Sequence, residues 1–568
     1  MFLPDWLKHY KKEHLNGDII AGIIVAIVLV PQSMAYGMLA GLPPEVALYS
    51  SVLPLILYAA FGSSRTLAVG PVGLMSLMTG ATLIELNISN VSDMISAAHT
   101  LALLVGVVLL LMRIARLGAV INFLSHPVIS GFVSASAIII ALSQMKHVLG
   151  LDIPRDLPAH ETLYLITSQI TQSNVATSII GITSLVLLWI FKTPLVNFLS
   201  KKSVPDYIIQ FASRSGPLVA IAIATFSVYY LSLDAQQHVA IIGNIPPGLP
   251  DILLPNIDPE LITRLLPNAL LIALIGYLES VSIAKSMANQ KRQKINSNKE
   301  LLGLGAANIA SAISGGYPVA GGFGRSMVNF SAGANSPFAS VITACLVGLT
   351  LAVLTPLFFF LPKAALGAII ILAVLPLIDT HTLKHAWAYD RTDALSMLVT
   401  FITVLAVDVE TGIISGVILS IALYLHRSSQ PHIAIVGQVG GTEHYRNIDR
   451  HPVKTDEHIL ALRVDENLYF ANTNYLEDTI MQLVADNKEI NHVVLICSSI
   501  SVIDSSALES LDNILYGLNK ANITLQLAEI KGPVMDKLSK TEFFQKIGEK
   551  NVYLSTHQAI ESLKKLPA

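Results

Sequence analysis

The chain has 568 residues, of which 53% are hydrophobic and 13% are charged, and its formal net charge is −3 at pH 7. Soluble domains are about a quarter charged, so this composition indicates an integral membrane protein and gives no support for nucleic-acid binding. Two cysteines, Cys345 and Cys497, are too few for a disulfide framework or a metal site. No Walker-type phosphate motif occurs, so nothing indicates a pump that hydrolyses ATP by itself. We also expect that the protein is not an enzyme and that it has no cofactor or metal.

The N-terminal segment, residues 1–17, is short and basic and contains Trp6 and Tyr10. Such a segment is expected at the cytoplasmic face of a membrane. The apolar run that follows continues through Pro31 without an A-x-A-like cleavage site. It therefore predicts a retained first span and not a signal peptide.

Apolar runs of about twenty residues predict fourteen spans within a transmembrane domain at 18–426. They lie around 18–39, 46–61, 66–86, 94–112, 119–146, 175–199, 215–233, 261–288, 299–315, 319–334, 338–361, 364–379, 392–407 and 411–426. The loops after even-numbered spans are rich in Lys and Arg, whereas the opposite loops carry mostly Asp and Glu. This bias predicts a multi-pass protein of the cell membrane with both termini in the cytoplasm.

Fourteen spans divide into two repeats of seven, at about 18–233 and 261–426. Because seven is odd, the second repeat enters the membrane in the opposite orientation, which makes an inverted repeat. The third span of each repeat is interrupted by glycine and proline. The interruptions are Gly70-Pro71-Val72-Gly73 in the first repeat and the Gly-rich residues 315–324 in the second. Such broken spans indicate the binding site of a transporter.

Arg325 is the only charged residue between 308 and 333. Two half-helix N-termini facing each other at mid-membrane would each add about half a positive charge and unpaired N–H groups. Together with Arg325 they predict a pocket for an anion. The alternative is a Gly-rich packing seam whose arginine reaches the lipid headgroups.

Glu279 lies nine residues before the end of its predicted span. At 1.5 Å per residue this is about 14 Å from the cytoplasmic edge, near the midplane. An ionised carboxylate is costly there, so we expect Glu279 to be neutral for much of the time or paired with Arg325. A carboxyl that gains and loses a proton would couple protons to the substrate, and the alternative is a structural carboxyl bonded to backbone.

Gln32 and Tyr36 share a helix face. Their side chains either reach a bound ligand or form hydrogen bonds between helices.

Three motifs closely resemble the sulfate permease (SulP) family, whose animal relatives are the solute-carrier 26 anion exchangers. They are PQSMAY with AGLPP (31–36 and 40–44), Glu279-Ser280, and GGFGRSMVN (321–329). The resemblance implies an α-helical membrane fold of seven plus seven inverted spans, divided into a core domain and a gate domain. It also implies a homodimer that binds its anion between the half-helices of spans three and ten.

By this resemblance, Arg325 supplies the positive charge of the site, and Glu279 is similar to the proton-coupling glutamate of plant-type sulfate symporters. Sodium-coupled bicarbonate transporters of the family carry an aspartate where this chain has Ile283, which argues for protons. Gly324 departs from the serine of many relatives, which leaves the identity of the anion open. The full set of expected substrate-binding residues is Gln32, Tyr36, Gly70, Pro71, Val72, Gly73, Phe323, Gly324, Arg325 and Ser326.

After a polar linker at 427–457, short strands and helices alternate over residues 458–568 and indicate a small α/β domain. The predicted strands are 459–464, 468–471, 492–497 and 523–528, the predicted helices are 475–485, 505–519 and 534–540, and a strand and helix close the chain at 552–564. The domain resembles a STAS domain, the cytosolic module of this family. Asp504 is the predicted N-cap of the helix at 505. Ser505 resembles a serine phosphorylated in anti-sigma-factor antagonists, although capping explains the same residues.

The leading hypothesis is a secondary active transporter that imports an oxyanion, sulfate first, by proton symport. Bicarbonate or a dicarboxylate is the next choice of substrate. An uncoupled anion exchanger or channel with the same pocket is the alternative mechanism, and a regulatory receptor is a third reading. The expected partners are the anion, protons, membrane lipid, a second copy of the chain and a cytosolic regulator on the STAS domain.

Overall fold

The computed structural model describes residues 5–8, 10–86, 88, 90–118, 125–154, 157–202, 206–252 and 254–565. The chain divides into two compact units, Met1–Val417 and Ile418–Ala568.

The first unit is almost entirely helical, as an apolar chain must be when its backbone polar groups have no water to bond. Its helices are α1 (Asp5–Lys8), α2 (Leu15–Leu39), α3 (Pro44–Tyr49), α4 (Leu53–Phe61), α5 (Gly73–Glu85), α6 (Val91–Ile114), α7 (His126–Leu149), α8 (Ala159–Ser168), α9 (Val175–Lys192), α10 (Pro194–Lys201), α11 (Asp206–Leu231), α12 (Leu233–Gln236), α13 (Pro259–Gln290), α14 (Ser297–Ile313), α15 (Phe323–Ser331), α16 (Phe338–Leu349), α17 (Lys363–Val374), α18 (Thr380–Tyr389) and α19 (Arg391–Ala406). Helix α20 (Val409–Ser429) begins in the first unit and continues into the second. Within the described ranges, nine helical segments are long and apolar enough to cross a membrane. The protein is therefore a multi-pass membrane protein.

Helix occupies part of each of the fourteen predicted spans. The predicted third and tenth spans differ from the others, because each begins with a two-residue strand, β1 (Val69–Gly70) or β2 (Ala320–Gly321), and continues as a short helix, α5 or α15. The predicted start of the fifth span at 119 falls on residues 119–124, which lie outside the described ranges, and α7 begins at His126.

Two helices of ten residues, α8 and α18, lie outside the predicted spans. They occupy matching places, because α8 follows the fifth span of the first repeat and α18 follows the fifth span of the second. This correspondence agrees with two repeats of the same architecture.

The segment before α2 packs onto the rest of the first unit. Trp6 donates its indole N–H to the carbonyl of Ala59, at the end of α4, over 2.7 Å. Asp18 is fully buried, and its carboxylate accepts the backbone N–H groups of Asn335 and Ser336 before α16, at 2.7 and 3.1 Å. These bonds fasten the N-terminal segment and α2 to two distant parts of the chain.

The second unit contains a six-stranded sheet in the order β4-β3-β5-β6-β7-β8. The strands are β3 (Ile433–Gln438), β4 (Tyr445–Asn447), β5 (Ile459–Val464), β6 (His492–Ile496), β7 (Thr524–Ala528) and β8 (Val552–Tyr553), and the helices are α21 (Thr473–Asp486), α22 (Ser505–Lys520), α23 (Gly532–Leu538), α24 (Glu542–Ile547) and α25 (Thr556–Leu563). β3 is antiparallel to β4 and β5, whereas β5 to β8 are parallel. The central parallel strands are buried on both faces, which explains their continuous apolar sequences.

Two parts of this unit differ from the sequence prediction. The predicted strand 468–471 is wrong, because Leu468 makes only an isolated bridge to Ile503 and the chain then turns into α21. The Asn472 side chain accepts the N–H of Tyr469 at 3.1 Å and thereby stabilises the turn. In addition, β3 and β4 lie in the segment predicted as a linker, so the sheet begins before residue 458. β4 is the edge strand, and β3 beside it is buried less continuously than the central parallel strands, so both have a weaker apolar pattern.

Candidate functional site

The strands β1 and β2 cross each other as an antiparallel pair, with Val69 opposite Gly321 and Gly70 opposite Ala320. Ala68 extends the crossing at one end, because its carbonyl accepts the N–H of Gly322 at 3.1 Å. After the crossing, the first chain enters α5 and the second enters α15. The N-termini of these two half-helices therefore start from the same place, and both present unpaired backbone N–H groups there.

Glycine is required at the crossing for two different reasons. Gly70 has φ +152°, a conformation that side chains disfavour. At Gly321 a Cβ atom would lie 2.7 Å from Leu67 Cδ1, closer than carbon atoms approach. The glycines of the two broken spans thus allow the two backbones to meet.

Polar side chains from neighbouring helices hold the crossing in place, and the sequence reasoning did not assign them this role. Asn308, on α14, pairs with both backbone groups of Val319, at 2.9 and 3.0 Å. Ser280, on α13, accepts the N–H of Gly321 at 2.8 Å. The signal was present in the sequence, because a polar residue inside an apolar span usually has a specific partner.

Tyr317 links the second chain to the first half-helix. Its hydroxyl lies 2.7 Å from the hydroxyl of Ser76, which in turn donates to the carbonyl of Val72 at 2.9 Å. Tyr317 is fully buried. The start of α5 is therefore fixed against the chain that leads to α15.

Arg325 is 3% exposed and lies in the first turn of α15. Its Nη1 donates to the carbonyl of Pro71, and its Nη2 lies against Gly70 and Gly322. Its Nε and Nη2 have no hydrogen-bond partner in the described part of the chain. A neutral carbonyl cannot balance the guanidinium charge, so the described residues leave two donors and most of a positive charge unsatisfied beside Gly70 and Gly322.

Gln32 and Tyr36 reach the same region from α2. Gln32 Nε2 donates to the Tyr36 hydroxyl at 3.1 Å, which leaves the hydroxyl proton of Tyr36 free to be donated elsewhere. The Tyr36 ring packs against Gly73, where a Cβ atom would lie 3.3 Å from Tyr36 Cε1. Both side chains are buried, so α2 contributes a polar pair beside the N-terminus of α5.

The other predicted site residues are placed differently. Ser326 is fully buried, and its hydroxyl accepts the N–H of Ala68 at 2.9 Å, so it braces the crossing. The Phe323 side chain is 44% exposed. Gly324 is exposed, and a Cβ atom there would meet no atom within 4 Å. Val72 is buried as the N-cap residue of α5.

Glu279 is half-buried on α13, the helix that packs against β2, α5 and α15. Its Oε2 has no hydrogen-bond partner among the described residues. None of the described ion pairs joins it to Arg325, although the two charges are close enough to interact electrostatically. Its neighbour Ser280 holds β2, so the carboxyl and the crossing belong to the same part of the structure.

Ser505 lies in the second unit, as the exposed first residue of α22. Asp504 accepts the N–H of Ala507 at 2.9 Å, which confirms the predicted N-cap. Its second carboxylate oxygen accepts the N–H of Phe470 at 2.9 Å. The serine hydroxyl is therefore accessible, while the aspartate is used by the fold.

Comparison with known proteins adds sequence similarity to this geometry. Residues 15–400 match the model of the sulfate permease family, and residues 451–559 match the STAS domain. The chain is 36% identical to "Sulfate transporter 4.1, chloroplastic" of Arabidopsis thaliana, over 98% of this chain and 81% of that protein. It is 32% identical to "High affinity sulfate transporter 2" of Stylosanthes hamata, over 98% of this chain and 85% of that protein.

Two solved structures resemble this one in fold. The murine Solute Carrier 26 family member A9 anion transporter in the inward-facing state is 22% identical, with a TM-score of 0.90 over 100% of this chain and 94% of that chain. The transmembrane domain of the cyanobacterial bicarbonate transporter BicA is 23% identical, with a TM-score of 0.60 over 72% of this chain and 98% of that chain. At these identities the likeness shows the fold alone, which is the inverted-repeat transporter fold with a C-terminal STAS domain.

Proposed function

This chain belongs to the sulfate permease family, and we propose that it is a secondary active transporter that imports sulfate together with one or more protons by alternating access. In this proposal the anion binds between the N-termini of α5 and α15. Arg325, Gln32 and Tyr36 contact it together with the backbone of residues 70–73 and 323–324.

The observation that carries the proposal is the buried guanidinium of Arg325, whose Nε and Nη2 lack partners within the described residues. Leaving charged donors unpaired in a buried place costs several kcal/mol, and an oxyanion that accepts from both would offset this cost. Two helix N-termini add about half a positive charge each, so with the arginine the site offers a total of about two. This total matches the charge of sulfate better than that of bicarbonate.

Proton coupling is proposed to depend on Glu279. An ionised Glu279 would balance the charge of Arg325 and weaken the binding of an anion, whereas a protonated Glu279 leaves the arginine available. Sulfate and a proton would therefore bind together. One oxygen of this carboxyl, Oε2, has no hydrogen-bond partner among the described residues, and the group interacts electrostatically with Arg325, which supports this role.

Gly324 keeps a second candidate substrate open, because glycine offers the anion backbone N–H groups but no side-chain hydroxyl. Bicarbonate or a dicarboxylate is that candidate, and an uncoupled exchanger or channel is the alternative mechanism. One solved structure of the same fold is named as a bicarbonate transporter.

The proposal is tested by uptake into proteoliposomes of labelled sulfate, bicarbonate, succinate and chloride, each with and without an inward proton gradient. We expect sulfate to be accumulated and the gradient to increase its uptake. Sulfate uptake that ignores the gradient would support the uncoupled exchanger. Preferred uptake of another anion would replace sulfate as the substrate.

The oligomeric state, the membrane orientation and the role of the STAS domain are also part of the proposal. We propose that the protein acts as a homodimer in the cell membrane, with both termini in the cytoplasm and with core and gate domains that move against each other. The STAS domain would bind a cytosolic regulator. Ser505 would be the phosphorylation site of the STAS domain. Cross-linking of the purified protein in lipid nanodiscs would test the dimer.

A further inference from the structure

A cavity of about 580 Å³ lies in the first unit, and its wall on α5 begins at Leu77, about one turn after the N-terminus of that half-helix. It is lined by the C-terminal ends of α2, α5 and α7, by α8, and by the loop between α19 and α20. Gln32, Tyr36, Glu279 and Arg325 do not line it. Its volume falls within the roughly 300–1,000 Å³ typical of small-molecule sites.

The walls of this cavity are mainly apolar. They include Met38, Leu77, Met78, Ile139 and Leu142. These side chains favour a ligand with an apolar surface, because binding removes that surface from water.

One buried side chain in the wall, Gln144, has a polar atom without a hydrogen-bond partner among the described residues. Gln144 lines the cavity and is 2% exposed. Its Nε2 donates to Ser143 Oγ at 3.1 Å, but its Oε1 has no hydrogen-bond partner in the described part of the chain. An unpaired buried carbonyl oxygen is costly, and a ligand that donates a hydrogen bond would remove this cost.

The charged side chains of the lining determine whether a cationic, neutral or anionic ligand is favoured. Three carboxyl groups line the cavity, those of Glu85, Asp408 and Glu410, and Glu410 interacts electrostatically with the other two. Glu85 also accepts from the Asn268 amide at 2.9 Å, and Asp408 accepts the N–H of Thr411 at 2.7 Å. The ammonium of Lys146 also lines the cavity, but it donates to the carbonyl of Ile153 at 3.0 Å. In the described part of the lining, three carboxyl groups against one lysine favour a cation over an anion, which is the opposite of the preference at Arg325.

We propose that this cavity is a binding site for a compact amphipathic amine, with its ammonium donating to Gln144 Oε1 near the carboxylates and its apolar body among the leucine, isoleucine and methionine side chains. None of the residues proposed to contact the anion lines this cavity. It lies at the end of the helix bundle where α7 ends and α20 begins, which is the external face in the proposed orientation.

The test uses three compounds with the same apolar body, 1-adamantylamine, 1-adamantanol and 1-adamantanecarboxylate, with tritiated amine as the tracer on the full-length protein in nanodiscs. We expect the amine to bind at least tenfold more tightly than the carboxylate, with the alcohol between them. Gln144→Leu removes the acceptor at nearly constant volume, so it should weaken amine binding at least fivefold. Leu77→Trp fills the cavity and should abolish binding.

Two control variants distinguish amine binding in this cavity from sulfate binding at Arg325. Arg325→Ala should leave amine binding unchanged, and Gln144→Leu should leave sulfate binding unchanged. Empty nanodiscs measure partition of the amine into lipid. Equal binding of amine and carboxylate, or amine binding that is unaffected by both Gln144→Leu and Leu77→Trp, would overturn the proposal.

Discussion

Arg325 donates its Nη1–H to the carbonyl oxygen of Pro71, so a residue in the first turn of α15 is bonded to the chain just before α5. This bond orients the guanidinium toward the place where both half-helices begin. Because the carbonyl is neutral, the bond fixes the position of the charge without cancelling it.

Replacing this arginine is expected to weaken anion binding. Arg325→Ala should raise the Kd for sulfate at least tenfold, about 1.4 kcal/mol, because it removes the buried charge and two unpaired donors. Arg325→Lys keeps the charge but loses the planar fork, so its Kd should lie between those of the wild type and the alanine variant. Calorimetry on the purified protein measures both. An unchanged Kd in Arg325→Ala would place the anion elsewhere.

Replacing Glu279 is expected to separate transport from binding. Glu279→Gln keeps the shape of a protonated carboxyl but cannot exchange a proton, so uptake driven by a pH gradient should be lost while sulfate still binds. Proteoliposome uptake and calorimetry on the same preparation provide the two readouts. The matched control is Glu260→Gln, on the exposed first turn of the same helix. Undiminished gradient-driven uptake by Glu279→Gln would rule out the coupling role.

The sequence predicted the spans well because apolar runs of sufficient length have few alternatives in a membrane. It also indicated the two broken spans, since glycine and proline interrupt them. It could not supply the bond between Ala68 and Ser326, because residues 258 positions apart meet only through the tertiary fold. The Ser326 hydroxyl accepts a backbone N–H, a role that the sequence does not indicate, and its contact with substrate stays a prediction.

Two glycines near the second broken span are expected to differ in how well they tolerate substitution by alanine. At Gly316 a Cβ atom would lie 2.4 Å from the hydroxyls of both Ser50 and Ser311, so Gly316→Ala should destabilise the protein by about 1–3 kcal/mol. Gly324→Ala is the matched control, because no atom lies within 4 Å of its Cβ position. Thermal unfolding followed by size-exclusion chromatography compares the two variants. Equal melting temperatures would contradict the packing at Gly316.

The substitution Gly324→Ser should be tolerated, because no atom lies within 4 Å of the Cβ position, and it adds a hydroxyl at the start of α15. A new donor beside an oxyanion contributes about 1 kcal/mol, so we expect a roughly fivefold lower Kd for sulfate. Gly324→Ala again provides the control, since it adds the carbon without the hydroxyl. If serine and alanine have the same Kd, the Gly324 position does not face the anion.

Glu300 is a buried carboxylate whose bonds are all made within the protein. It is fully buried and accepts from the Tyr58 hydroxyl at 2.6 Å and from the N–H and hydroxyl of Ser63, each at 2.7 Å. Glu300→Ala leaves these donors unpaired, so it should cost roughly 3 kcal/mol or more of stability. Glu300→Gln retains an acceptor oxygen and should cost much less. Thermal unfolding distinguishes them, and equal losses would mean that the carboxylate bonds do not stabilise the fold.

The STAS domain offers a pH-dependent test of its core. Burial, with a smaller contribution from the charge of Glu529, raises the pKa of the Cys497 thiol to about 12. Only the thiolate reacts with maleimides, and at pH 8 about 10⁻⁴ of such a thiol is ionised. In a Cys345→Ala background, which leaves Cys497 as the one cysteine of the sequence, the folded protein should therefore resist labelling at pH 8.

Because the pKa is raised, labelling of Cys497 should increase as the pH rises toward 12, for as long as the domain stays folded. The same protein in denaturant exposes the thiol to water and should be labelled completely at pH 8, which provides the control for reagent quality. Intact-mass spectrometry after fixed times measures the labelled fraction. Rapid labelling of the native protein at pH 8 would mean that β6 and the residue after it open in solution, and that the sheet is less stable than its buried strands indicate.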